Sequence, residues 1–134
     1  MIMDVQQLKA NIYRHCSYQA HQIMELDKIT RQLYPVLGKL EEVKKQRMKE
    51  NPDLAYLYWV YKGNAQILNY AKGADEIYDV KLIDNNKLKI WFRDMLDRHS
   101  EIGSTFIIPL EALKDMDTTI NWFNSQIDDI LNGI

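Results

Sequence analysis

Val5, Leu8, Ile12, His15, Gln19, Gln22, Leu26, Ile29, Leu33, Val36, Leu40 and Val43 follow one another at spacings that alternate between three and four residues. Side chains at that rhythm share one stripe of an α-helix, the pattern of a coiled-coil seam or a long bundle helix. Asp4, with Gln7 three residues on, reads as its N-cap with a capping-box partner. Pro35 lacks an amide proton and Gly38 weakens the next turn, so the helix should kink near Tyr34. The stripe stays in phase across both, which favours one kinked helix over residues 1–50.

A second stripe closes the chain. Leu113, Met116, Ile120, Phe123, Ile127, Ile130 and Ile134 keep the same spacing, in a helix expected to start near Pro109 and to end at Gly133. Neither stripe can stay exposed, and charge suggests how they meet. Residues 1–50 carry a net +3, with Lys39, Lys44, Lys45, Arg47 and Lys49 crowded near the end of the first helix. Residues 51–134 carry a net −5, with Glu111, Asp115, Asp117, Asp128 and Asp129 on the last. The expected fold is therefore mainly α: a helical bundle in which the long kinked N-terminal helix pairs coiled-coil-like with the C-terminal one. A straight helix over residues 4–50 would reach about 70 Å, longer than its partner, so a homodimer is an expected way to cover the remainder.

Between the stripes lies an aromatic-rich segment, residues 51–108, within what reads as a single domain of 134 residues. Asn51-Pro52-Asp53 signals a helix start beneath the uncharged run Leu54 to Tyr61. On a helix, Leu54, Leu57, Tyr58 and Tyr61 would share a core stripe, leaving Tyr56, Trp59 and Val60 to point elsewhere. Residues 77–92 admit two readings. Leu88, Trp91, Phe92, Met95 and Leu96 fit a helix from residue 86, which is the longer match. Tyr78 to Leu82 and Leu88 to Trp91 around Asp84-Asn85-Asn86 fit an antiparallel hairpin, which would make the fold α+β. Phe106 to Ile108, before Pro109, should be extended.

Chemistry is sparse. His21 and Glu25 stand one helical turn apart with Cys16 nearby, a spacing more common in surface pairs than in metal sites, and no Cys-x-x-Cys or His-Glu-x-x-His occurs. Cys16 beside His15, and Ser100 beside His99, are helix neighbours whose side chains diverge, so neither forms a nucleophile with its base. The five glycines are scattered and form no phosphate loop. No catalytic residue, metal site or cofactor is assigned, and an enzyme or metal protein built on a helical bundle ranks last among the readings.

Two binding readings come before it. The first is a non-enzymatic interaction protein, such as a small regulator, inhibitor or assembly factor, that meets another protein through Tyr56, Trp59 and Val60, since Tyr and Trp supply most interface hot spots. The second is a nucleic-acid-associated protein using Lys39, Lys44, Lys45, Arg47 and Lys49. Glu41 and Glu42 interrupt that run, and a net charge of −2 lacks the basic bias of a dedicated nucleic-acid binder. The single cysteine and the lack of a leader-like N-terminus point to the cytoplasm, and no apolar run is long enough to span a membrane. Fifteen isoleucines and nine asparagines, both read from AT-rich codons, suggest a bacterial or phage origin.

Overall fold

The computed structural model describes residues 4–17, 22–55, 60–61, 64–65, 75–94 and 105–133. Helix α1 (Val5–Ser17) is followed by α2 (Gln22–Glu50) and a 3-10 turn at Pro52–Ala55. Two short strands come next, β1 (Val60–Tyr61) and β2 (Asn64–Ala65), then β3 (Asp75–Ile83), β4 (Lys87–Asp94) and β5 (Thr105–Pro109). A second 3-10 turn at Leu110–Leu113 leads into α3 (Met116–Leu131). The chain is thus mainly helical with a three-stranded antiparallel sheet, in the order β3-β4-β5.

The N-terminal stripe does not form one helix. The Gln7 amide donates to Asp4 Oδ1 at 3.0 Å, the expected cap, while the Gln7 side chain turns forward to Asn11. The helix then ends at Ser17, and α2, after only four intervening residues, packs back against α1. Pro35 lies inside α2 and does not end it. Folding the stripe into two helices places Leu8 and Ile12 of α1 in the same core as Ile29, Leu33, Val36, Leu37 and Leu40 of α2. That core is shared with the sheet, so the apolar stripe has a β-sheet to bury against and needs no two-helix seam.

Residues 77–92 form the hairpin, which corrects the expectation of a helix from residue 86. Leu88, Ile90 and Phe92 alternate along β4 and are all buried, whereas a helical reading would set Ile90 off the apolar stripe. Their partners across the sheet are also apolar: Val80 opposite Ile90, Ile77 opposite Phe92, Ile108 opposite Leu88 and Phe106 opposite Ile90. The turn supplies the second reason. Asp84 (φ 54°) and Asn85 (φ 61°) both adopt the left-handed conformation that a type I′ hairpin turn requires, and Asp and Asn tolerate it best after glycine. The Asn86 amide closes that turn on the Ile83 carbonyl at 3.2 Å.

A β-bulge between Ile77 and Asp79 shifts the register of β3, so Ile77 and Val80, three residues apart, both reach the core. The edge of β3 is met by both N-terminal helices. Tyr34 Oη of α2 accepts from the Ile77 amide at 3.0 Å. His15 Nε2 of α1 lies 2.7 Å from Asp79 Oδ1, the same oxygen that accepts from the Val80 amide at 2.9 Å. The Tyr13 hydroxyl donates to Asn85 Oδ1 in the turn.

The C-terminal stripe starts later than its sequence suggests. Phe106–Ile108 are extended as expected, but Pro109 ends a strand, and the helix begins after Asp115, whose carboxylate accepts from the Thr118 amide at 2.7 Å. That hydrogen bond, the leading cause, holds the Asp115 carboxyl below its ordinary value. Phe123, Ile127 and Ile130 of α3 are buried, and Phe106 of β5 packs edge-on against Trp122 at 5.7 Å between centroids. Gly133, with φ +83°, follows the end of α3 in the left-handed conformation. The helices thus cover one face of the sheet, the face bearing Leu88, Ile90, Phe92, Phe106 and Ile108. Trimming Ile90 to Ala there would cost about 2–5 kcal/mol.

Candidate functional site

Alternation fixes what the opposite face carries. Because Leu88, Ile90 and Phe92 point inward, Lys87, Lys89 and Trp91 of β4 point away from the helices. Cross-strand partners share a face, so Asp79, Lys81 and Ile83 of β3 join them, as do Thr105 and Ile107 of β5. Lys81 stands directly opposite Lys89, and Ile83 opposite Lys87. Like charges placed directly opposite on a sheet are unfavourable. No carboxylate among the described residues pairs with Lys81, Lys87 or Lys89.

Lys81 and Lys89 border a shallow groove. Its volume is about 330 Å³, and Lys81, Leu82, Ile83, Asp84, Lys89 and Trp91 line it. Lys89 Nζ sits 4.9 Å from the centre of the Trp91 ring, a cation–π contact that holds both side chains over the same stretch of sheet. The groove thus combines an ammonium pair with an apolar wall of Ile83 and Trp91. It can hold an anion and an adjoining apolar group together.

The residues singled out from sequence are placed differently. Tyr56 and Trp59 lie outside the described residues, and Val60 falls in β1, paired with Ala65, rather than on a helix. The helix expected under Leu54 to Tyr61 is therefore corrected: Pro52–Ala55 is a 3-10 turn and Val60–Tyr61 a strand, although Leu54 is fully buried as expected.

The basic run on α2 is largely engaged within the chain. Lys44 is buried, with its ammonium 3.3 Å from Glu41. Arg47 reaches α3, donating to Asp128 at 2.5 Å and to Asn124 at 3.2 Å. Lys39 pairs with Glu42 at 3.2 Å. Of the five, Lys45 and Lys49 are exposed outside those ion pairs. The attraction expected between the first and last helices is seen at Arg47 and Asp128.

Sequence reading missed the hairpin lysines because residues 86–99 were read at helical spacing. The signal was present: Lys87, Lys89 and Trp91 alternate with Leu88, Ile90 and Phe92 at period two. Among the described residues, no three His, Cys, Asp or Glu side chains gather as a metal site would need, and no helix is long and apolar enough to cross a membrane. No protein-family model, curated protein or solved structure matches the chain.

Proposed function

We propose that this chain is a non-enzymatic interaction protein, a small regulator, inhibitor or assembly factor, whose binding surface is the outward face of the β3–β4 hairpin. The observation that carries this reading is the direct opposition of Lys81 and Lys89 beside Trp91, on the sheet face turned from the core. A folded chain gains nothing internally from opposing two ammonium groups, whereas a bound partner supplies the missing counter-charge and covers the aromatic ring. Electrostatic complementarity of that kind fixes register and raises the association rate. Tyr56, Trp59 and Val60 keep their place in the proposal as a second contact region on the same middle segment.

Affinity capture from the native host, followed by chemical cross-linking, tests the reading. The wild-type chain should retain a partner that Lys81→Glu/Lys89→Glu loses while its far-UV circular dichroism and melting temperature stay near wild type. Trp59→Ala, compared in parallel, reports on the sequence-derived region. Retention of the same partners by the charge-reversed variant would remove the hairpin face from the proposal.

A further inference from the structure

The hairpin face also says what chemistry its partner should carry. We infer that the groove bordered by Lys81, Lys89 and Trp91 takes an acidic, extended protein segment in which carboxylates adjoin one apolar side chain. This inference rests on the interaction reading above.

Charge complementarity is the first ground. Lys81 and Lys89 face each other across paired strands, Lys87 follows two residues along on the same face, and none has a carboxylate partner among the described residues. Two strands about 5 Å apart place these ammonium groups within the span of neighbouring carboxylates on one extended peptide. The second ground is the groove itself. Its 330 Å³, approximately, with Ile83 on one side of the Lys81–Lys89 row and Trp91 on the other, has room for an apolar side chain but not for a folded element. A hydrophobic residue seated on Trp91 puts the acidic residues next along the same segment over the adjoining Lys81–Lys89 row.

Single-stranded nucleic acid fits less well. Strand binders present open aromatic faces on which bases stack. Here the Trp91 ring is already approached by Lys89 at 4.9 Å, and the Asp84 carboxylate lines the same groove, where it would repel a phosphate chain. An acidic peptide can turn its apolar residue towards Trp91 and keep its carboxylates away from Asp84; a continuous phosphodiester has no such neutral position.

The test uses fluorescence anisotropy with two labelled probes of equal net charge: a short peptide in which Glu and Asp flank a single Phe, and a thymidine oligonucleotide. The full-length wild-type chain should bind the peptide more tightly than the oligonucleotide, with binding weakened by added salt. Lys81→Ala/Lys89→Ala should weaken peptide binding about tenfold, the loss expected for two exposed charge contacts. Trp91→Ala should weaken it while sparing the salt dependence. Should a variant unfold, Lys87→Gln and a peptide with Phe replaced by Ser give the same two readings on an unaltered core. Tighter binding of the oligonucleotide, or no binding of the peptide, overturns the inference. In that event, a host partner still lost by the charge-reversed variant leaves the interaction reading standing, and a partner retained removes both.

Discussion

Along α2, Lys44 is buried against Glu41 and Arg47 bridges to Asp128 and Asn124, whereas on the hairpin Lys81, Lys87 and Lys89 point away from the core with no carboxylate paired to them among the described residues. In sequence the α2 run looks the more basic of the two, with five cations between residues 39 and 49. The fold reverses that ranking. A cation becomes a structural device when a carboxylate is brought within reach, and is left for the proposed binding role when none is. Local density of Lys and Arg therefore says less about function than the placement of Glu41, Asp128 and Glu42.

Mutation of the two regions should separate them by stability. The largest effect is expected at Lys44. Lys44→Ala leaves Glu41, itself largely buried and with Oε2 unpartnered, without its counter-ion, and should cost about 2–4 kcal/mol in urea unfolding. A loss within experimental error would mean that the pair does not hold α2 in place. Arg47→Ala should cost about 1–2 kcal/mol, less because Asp128 is half exposed, and should accelerate amide exchange where α2 meets α3.

Gly38→Ala runs the other way. A Cβ at Gly38 meets nothing within 4 Å, so the substitution should stabilise α2 by about 0.5–1 kcal/mol, read as a higher melting temperature. On the hairpin, Lys81→Ala or Lys89→Ala should change stability by less than about 0.5 kcal/mol, with relief of the like-charge pair favouring a slight gain. A clear destabilisation by either would assign these lysines to the fold and break the contrast with α2.

The smallest effect concerns acid rather than base, at the start of the helix that Arg47 reaches. The Asp115 carboxyl has a lower pKa in the folded chain than its ordinary 3.8, so its cap contributes fully above that value and is lost as pH falls through the folded pKa. The stability gap between wild type and Asp115→Ala, followed by urea unfolding at successive pH values, should therefore narrow below about pH 4. A gap that stays constant into strong acid would mean that the cap does not depend on the ionised carboxylate.

Local chemistry was legible where one residue decides it. Asp4 as a cap, the extended Phe106 to Ile108 before Pro109, the left-handed Gly133 and the buried row of α3 all follow from backbone or capping rules that act within a few residues. The hairpin was ambiguous because Leu88, Trp91 and Phe92 suit both a helical and a period-two reading, and only the strands on either side decide between them. The division of the first stripe was hidden for a related reason. Its phase runs unbroken through His15, Gln19 and Gln22, while Pro35, the obvious breaker, sits inside α2 without ending it. One structural contact was within reach: extending the stripe one step past Val43 lands on Arg47, the residue that meets α3. Lys81 and Lys89 were not, since their opposition exists only once the register is known.

The Tyr34 hydroxyl bears on a hazard common to all sheet proteins. β3 is an outer strand, and its Ile77 amide would otherwise offer a hydrogen-bond donor to any passing extended chain. With Tyr34 holding that donor and Asp79 holding the one at Val80, two of the strand's amides are taken by side-chain oxygens instead of by another strand. At those two positions the backbone of β3 is kept from a passing strand, which opposes growth of the sheet molecule by molecule into an aggregate.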